Sequence, residues 1–168
     1  FTRFLIPELT NFSGWALFCD SDIIFLDDVK ELFDQADDKY AVMCVKHDYA
    51  PKEGIKMDGQ VQTVYPRKNW SSVMLFNCAH PSNAKLNMDL VNEPEINGAY
   101  LHRFSWLTDE EIGDLSYEWN FLVGHYKDGS PKALHYTEGG PWFENYRNCE
   151  FHTEWKQELQ DMMNDSNK

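Results

Sequence analysis

Apolar residues along this chain fall into short blocks bounded by polar or turn-forming residues, and their spacing alternates between helical and strand-like. Residues 1–9, "FTRFLIPEL", carry apolar positions at helical spacing with Pro7 near the end, and predict a helix. The aromatic-rich run "GWALFC" at 14–19 predicts a buried strand of the kind found in parallel sheets. A helix is predicted over "DDVKELFDQA" at 27–36, with Asp28 as N-cap and Glu31 three residues on completing a capping-box pattern. "YAVMCV" at 40–45 and "SSVMLFNC" at 71–78 predict two further buried strands, separated by a polar excursion over 47–69 with room for one short strand. Beyond these, the pattern predicts helices over 83–93 and 109–115, a loop and short helix over 93–107, and a strand or turn over 119–124. A strand over 132–137 and a C-terminal helix over 149–163 complete the prediction, with the last five residues frayed.

Strands alternating with helices define an α/β sheet, and open sheets of this kind bind ligands beyond the carboxyl ends of their strands. Asp20 and Asp22 fall at such an end, where "WALFCDSDIIFLDD" drops an acidic pair into an apolar run. The loop after "KALHYT" is a second such place.

Composition changes the picture mainly by exclusion. Fifteen basic residues against 28 acidic ones leave a formal charge of −13, with no basic stripe, which argues against nucleic acid and anionic membranes as partners. A phosphate-bearing substrate would need a divalent metal to offset that charge. Six tryptophans among 15% aromatic residues fit a packed core first and sugar-stacking faces second. Cys19, Cys44, Cys78 and Cys149 form no CxxC pair, so neither a zinc site nor a disulfide framework is expected, and the reading is a reducing, cytoplasmic setting. No apolar stretch is long enough to span a bilayer as a helix. At 168 residues the chain fits one domain. The segment "FTRFLIPEL" reads as the middle of an amphipathic helix, and a piece of a longer protein is expected.

Two aspartates one residue apart after a hydrophobic strand can offer oxygen ligands to one hard cation such as Mg²⁺ or Mn²⁺. Asp in a strand-end turn is equally common without that role. The haloacid-dehalogenase phosphatases carry Asp-x-Asp-x-Thr/Val, but Ile24 occupies the corresponding place here and no second metal loop follows.

"FTRFLIPEL…GWALFCDSDIIFLDDVKELF" resembles the GT-A glycosyltransferases of the glycogenin and lipopolysaccharide-galactosyltransferase family (family 8-like), with Arg3, Pro7, Glu8, Leu9, Asp20, Ser21, Asp22, Ile23, Ile24, Asp28, Glu31, Leu32 and Phe33 in register. "ALHYTEGGPWF" resembles that family's His-containing closing motif, and "YPRKNWSSVMLFNCAHP…LHRFSWL…WN" resembles a bacterial and phage-associated branch of the same superfamily. The resemblance implies a Rossmann-like nucleotide-diphospho-sugar transferase sheet flanked by helices, whose first nucleotide-binding strand and helix would precede Phe1. It further implies metal-dependent transfer of a sugar, with retention of configuration, from a nucleoside-diphosphate sugar (UDP-linked by expectation) to the hydroxyl of an acceptor such as a saccharide or glycolipid. Asp20, Asp22 and His135 match its metal ligands, and an imidazole in the set favours Mn²⁺ over Mg²⁺. Arg3 matches a donor-contacting Arg, Ser71 and Ser72 a small pair admitting the sugar, and Asn77 a family Asn. Asp109 matches a family Asp suited to hydrogen-bonding donor hydroxyls, and Glu110 stands in for the family's Gln at the place nearest the reacting carbon; the two are the expected catalytic residues.

Two departures stand out. Trp70 replaces an Asn of the family pattern, and "HYTEGGPW" lacks the Lys that precedes the Pro in the closing motif. Gly139 and Gly140 could present backbone N–H groups to phosphate instead, with Trp142 closing over the site. A non-catalytic domain that keeps the fold and binds a sugar or a partner is the rival reading.

Overall fold

The computed structural model describes residues 1–48, 54–55, 61–62 and 66–166. Its architecture is mixed α/β, as expected. A 3-10 turn, Thr2–Leu5, runs into α1 (Ile6–Leu9), and Phe4 is fully buried. β1 (Trp15–Cys19) and β2 (Ile23–Phe25) follow, then α2 (Lys30–Phe33) and β3 (Val42–Cys44). A minimal hairpin, β4 (Gly54–Ile55) with β5 (Val61–Gln62), lies in the polar excursion where one short strand was expected. Then come β6 (Val73–Asn77), α3 (Met88–Asn92), α4 (Gly98–His102), β7 (Ile112–Asp114), β8 (Phe121–Leu122), β9 (Ala133–His135) and α5 (His152–Asp165).

The main sheet has the order β1-β6-β3-β7, and a second, three-stranded sheet has the order β2-β9-β8. Every residue of β3 and β6 is buried, and Met74, Phe76, Val42 and Cys44 join Phe4, Leu101 and Phe104 in one core cluster. Leu75 and Met43 on the other face pack with Leu32, Leu115 and Trp119. Period-two alternation thus feeds two cores from the same strands.

Several elements differ from the sequence expectation for identifiable reasons. β1 is not a buried parallel strand: it pairs antiparallel with β6 (Trp15↔Asn77 to Cys19↔Val73), lies at the sheet edge and is only half-buried. Residues 109–115 are not a helix. Asp109–Glu111 make one 3-10 turn, with a capping box between Thr108 and Glu111, and 112–114 then pair in parallel with β3. The Gly113 backbone passes so close to the rings and chains of Tyr40 and Met43 that a Cβ would collide with them. The helix expected over 83–93 breaks into a 3-10 turn, Pro81–Lys85, and α3, because the Asn87 side chain accepts the Leu90 N–H and starts a new helix. Val29, not Asp28, stands at the N-cap of α2; the Asp28 side chain accepts the Lys30 N–H at 2.9 Å from one residue further out, and the Glu31 carboxylate pairs with Lys132 instead of completing a box. All four cysteines are unpaired thiols. Among the described residues, no helix is long and apolar enough to cross a membrane.

Candidate metal and donor site

Strand pairing delivers three potential ligands to one place. Asp20 directly follows β1, and its N–H donates to the Ser72 carbonyl at 2.8 Å, which ties it to the turn entering β6. Asp22 directly precedes β2. Because Ile23 pairs with His135, the Asp22 carbonyl receives the Tyr136 N–H at 3.0 Å, and the Asp22 carboxylate comes beside the His135 ring. One ligand atom from each of Asp20, Asp22 and His135 lies within 4.8 Å of the others. Two ligands on opposite sides of a small octahedral cation stand about 4.2 Å apart, so a minor side-chain adjustment lets all three share an ion.

The chemistry of the set also fits a cation. His135 Nε2 and Asp22 Oδ1 stand 3.5 Å apart, so a cation held between them would be offered a lone pair by each. Burial pushes the Asp20 carboxyl above the usual range against the opposing pull of Arg3, and the neighbouring Asp22 adds to the rise. The Cys19 thiol is raised by burial and by the same two carboxylates. Negative charge gathered in a half-buried place is what a divalent ion relieves.

The three groups line a polar cleft of about 190 Å³ with Arg3, Asn69, Ser71, Ser72, His102 and Thr137. Arg3 spans its wall, 2.8 Å from Asp20 Oδ1 and donating to the Ser71 carbonyl at 2.9 Å, with its guanidinium over the Phe18 ring. Opposite charge and a ring face hold that cation in one orientation. The structure therefore brings together Asp20, Asp22, His135, Arg3, Ser71 and Ser72 of the expected residues.

It does not bring the others into this cleft. Asn77 lies at the opposite end of β6 and donates to the Asp38 carbonyl at 3.3 Å. Asp109 is mostly exposed in the turn before β7 and pairs with Arg67; Glu110, beside it, is exposed as well. Gly139, Gly140 and Trp142 follow the cleft residue Thr137, with the Trp142 ring packed so tightly on Gly140 that only glycine fits there. The Gly139 N–H is donated to the Tyr136 carbonyl at 2.9 Å, which leaves the Gly140 amide as the one candidate for an anion. Trp142 meets Tyr136 edge-on and packs at a tilt against Phe143 and Trp155, tying this segment to α5.

Sequence reasoning missed Asn69, His102, Thr137 and Asn120. Asn69 stands one position before Trp70 in a left-handed backbone conformation (φ 63°), and its buried Nδ2 has no hydrogen-bond partner among the described residues. An orphaned buried donor at a cleft wall is a feature a ligand oxygen would satisfy. His102 ends α4 and shares a hydrogen bond of 2.7 Å with Ser71 Oγ. Nothing in its local sequence marks it.

Burial, reinforced by the nearby Arg3 charge, pushes the His102 imidazole down to about 4, and burial pushes His47 down to about 3. Their folded values lie below the roughly 6.5 of an unfolded histidine, so the stabilisation is complete above that pH. It is lost as pH falls towards 4 and then 3. Thermal unfolding followed by circular dichroism across a pH series is expected to show a flat Tm near neutrality and a decline below about pH 6.5. His102→Gln is expected to flatten the upper part of that decline.

The fold is mixed α/β, and the comparisons with solved structures show that it matches the folds of glycosyltransferases. The glycosyltransferase GlyE of Streptococcus pneumoniae superimposes with a TM-score of 0.62 at 16% identity, covering 93% of this chain and 41% of GlyE. The bifunctional glycosyltransferase WbbM superimposes with a TM-score of 0.58 at 20% identity, covering 93% of this chain and 36% of WbbM. No family model matches the sequence. By sequence, the chain is similar to Protein CDI of Arabidopsis thaliana, 55% identical over 174 residues, all of this chain being covered. The chain spans 66% of the length of that relative, a plant protein, whereas the sequence resemblance pointed to bacterial and phage members.

Proposed function

We propose that this chain is the metal- and sugar-handling part of a glycosyltransferase that moves a sugar from a nucleoside-diphosphate donor, UDP-linked in our reading, to a hydroxyl acceptor with retention. One observation carries the reading: Asp20 after β1 of the main sheet, Asp22 before β2 and His135 of β9 in the second sheet converge within 4.8 Å in the lining of a polar cleft. When bound, a divalent cation, Mn²⁺ in preference to Mg²⁺, would supply Lewis-acid stabilisation of the diphosphate leaving group. The chain's own residues set the rest. Arg3 adds a fixed positive charge beside Asp20, suited to a donor phosphate or sugar oxygen. Ser71, Ser72 and the unpartnered Asn69 amide offer hydrogen bonds to hydroxyl groups across the same wall. The Gly140 amide and Trp142 are proposed to close on the diphosphate side in place of the absent Lys. Asp109 and Glu110 are proposed to reach the donor through a movement of the turn before β7 towards the cleft.

Calorimetric titration of the full-length protein with UDP, with and without Mn²⁺, tests it. Binding that requires the metal is expected. Metal-indifferent binding of free sugars would favour a non-catalytic domain that keeps the fold.

A further inference from the structure

His135 can be a ligand through Nε2 only if that nitrogen carries a lone pair, so the position of its ring hydrogen decides what the site can do. On the other side of the ring, Nδ1 lies 2.8 Å from Oδ1 of Asn120. The orientation of that amide follows from its remaining neighbours. Its Nδ2 donates to the Asn69 carbonyl at 3.3 Å and to Ser72 Oγ at 2.9 Å. Ser72 has one hydroxyl hydrogen, and it is given to the Asn69 carbonyl at 2.6 Å, so both neighbours of Nδ2 act as acceptors. The atom facing His135 is therefore the amide oxygen, which can only accept, and Nδ1 must be the donor.

We infer that Asn120, fully buried at the end of the 3-10 turn Tyr117–Asn120, is a positioning residue that fixes His135 as the Nδ1–H tautomer and presents Nε2 to the ion. The same amide braces the 69–72 turn, whose Ser72 carbonyl receives the Asp20 N–H. One side chain thus sets the imidazole and, through that turn, the first acidic residue. Outer partners of this kind fix ring orientation and raise ligand basicity. The inference rests on the metal-site reading of Asp20, Asp22 and His135.

Long-range ¹H–¹⁵N NMR of the metal-free full-length protein, at alkaline pH where imidazoles are neutral, reports the His135 tautomer directly. The expected spectrum has hydrogen on Nδ1 and none on Nε2. Asn120→Leu, similar in size but without an acceptor, is expected to move the ring to the Nε2–H form or a mixture and to weaken Mn²⁺ binding about 10–100-fold. Asn120→Asp keeps an acceptor towards Nδ1 and is expected to keep the tautomer. A natural His135 bearing its hydrogen on Nε2 overturns the inference without any variant having to fold. An Asn120→Leu protein with the original tautomer and Mn²⁺ affinity overturns it as well. If the natural protein shows the Nδ1–H form but binds no Mn²⁺, the orientation by Asn120 is supported and the metal reading fails instead.

Discussion

Asp22→Ala in the full-length protein is expected to reduce Mn²⁺-dependent UDP affinity, and any sugar transfer, by about 10²-fold or more while leaving the fold intact. The reasoning is local. The Asp22 backbone carbonyl, which receives the Tyr136 N–H and helps to join β2 to β9, survives the substitution. What disappears is one carboxylate of a three-ligand set, and with it the charge that attracts a divalent ion. Electron paramagnetic resonance of free Mn²⁺ counts the bound metal directly, and circular dichroism checks the fold. Unreduced Mn²⁺ and UDP binding by Asp22→Ala would show that the acidic pair does not hold the ion. Thr137→Ala, at the same cleft but without a ligand atom of this kind, provides the comparison.

Phe76→Ala carries the largest expected effect on stability. Phe76 is fully buried in β6, flanked by Ala16 of β1 and Val42 of β3, and belongs to the core that contains Phe4, Leu101 and Phe104. Truncating such a ring leaves a cavity as well as removing apolar contact, a loss of about 3–5 kcal/mol. For a chain of this size that corresponds to a fall in Tm of roughly 6–20 °C. Leu9→Ala serves as the control. Leu9 is 75% exposed, and its truncation is expected to change Tm by no more than about 2 °C. A Phe76→Ala protein that melts within that margin would mean that β6 is not the packed centre of the molecule.

The parts of this molecule legible in the sequence are those written in local pattern. β3 and β6 read as buried strands because they are buried on both faces, and uninterrupted apolar runs such as "VMC" and "VMLF" have few other uses. Asp20 and Asp22 were visible because acidic residues interrupt such a run at its end. His135 was visible only through resemblance, since a histidine closing a short strand has no local signature. β2 was missed because "IIF" sits against the acidic pair with no turn signal separating it from β1. β7 was missed because "DEEIGDL" is charged like a helix start, while the parallel pairing that makes it a strand comes from β3, far away in sequence. The motif position of Asn77 points to the site, but the antiparallel register puts it at the wrong end of its strand. Asn120 owes its role wholly to hydrogen bonds with distant residues, which no spacing rule could reveal.

That the acidic pair meets the imidazole through the pairing of β2 with β9 and the contacts of Asn120 has a consequence for how the chain matures. A nascent polypeptide emerging from the ribosome displays Asp20 and Asp22 ahead of Ala133–His135, and holds no complete binding place until that strand has been synthesised and docked. Ion capture would then act as a late clasp across the two sheets, adding about 2.7 kcal/mol when the free ion stands at a hundred times its dissociation constant.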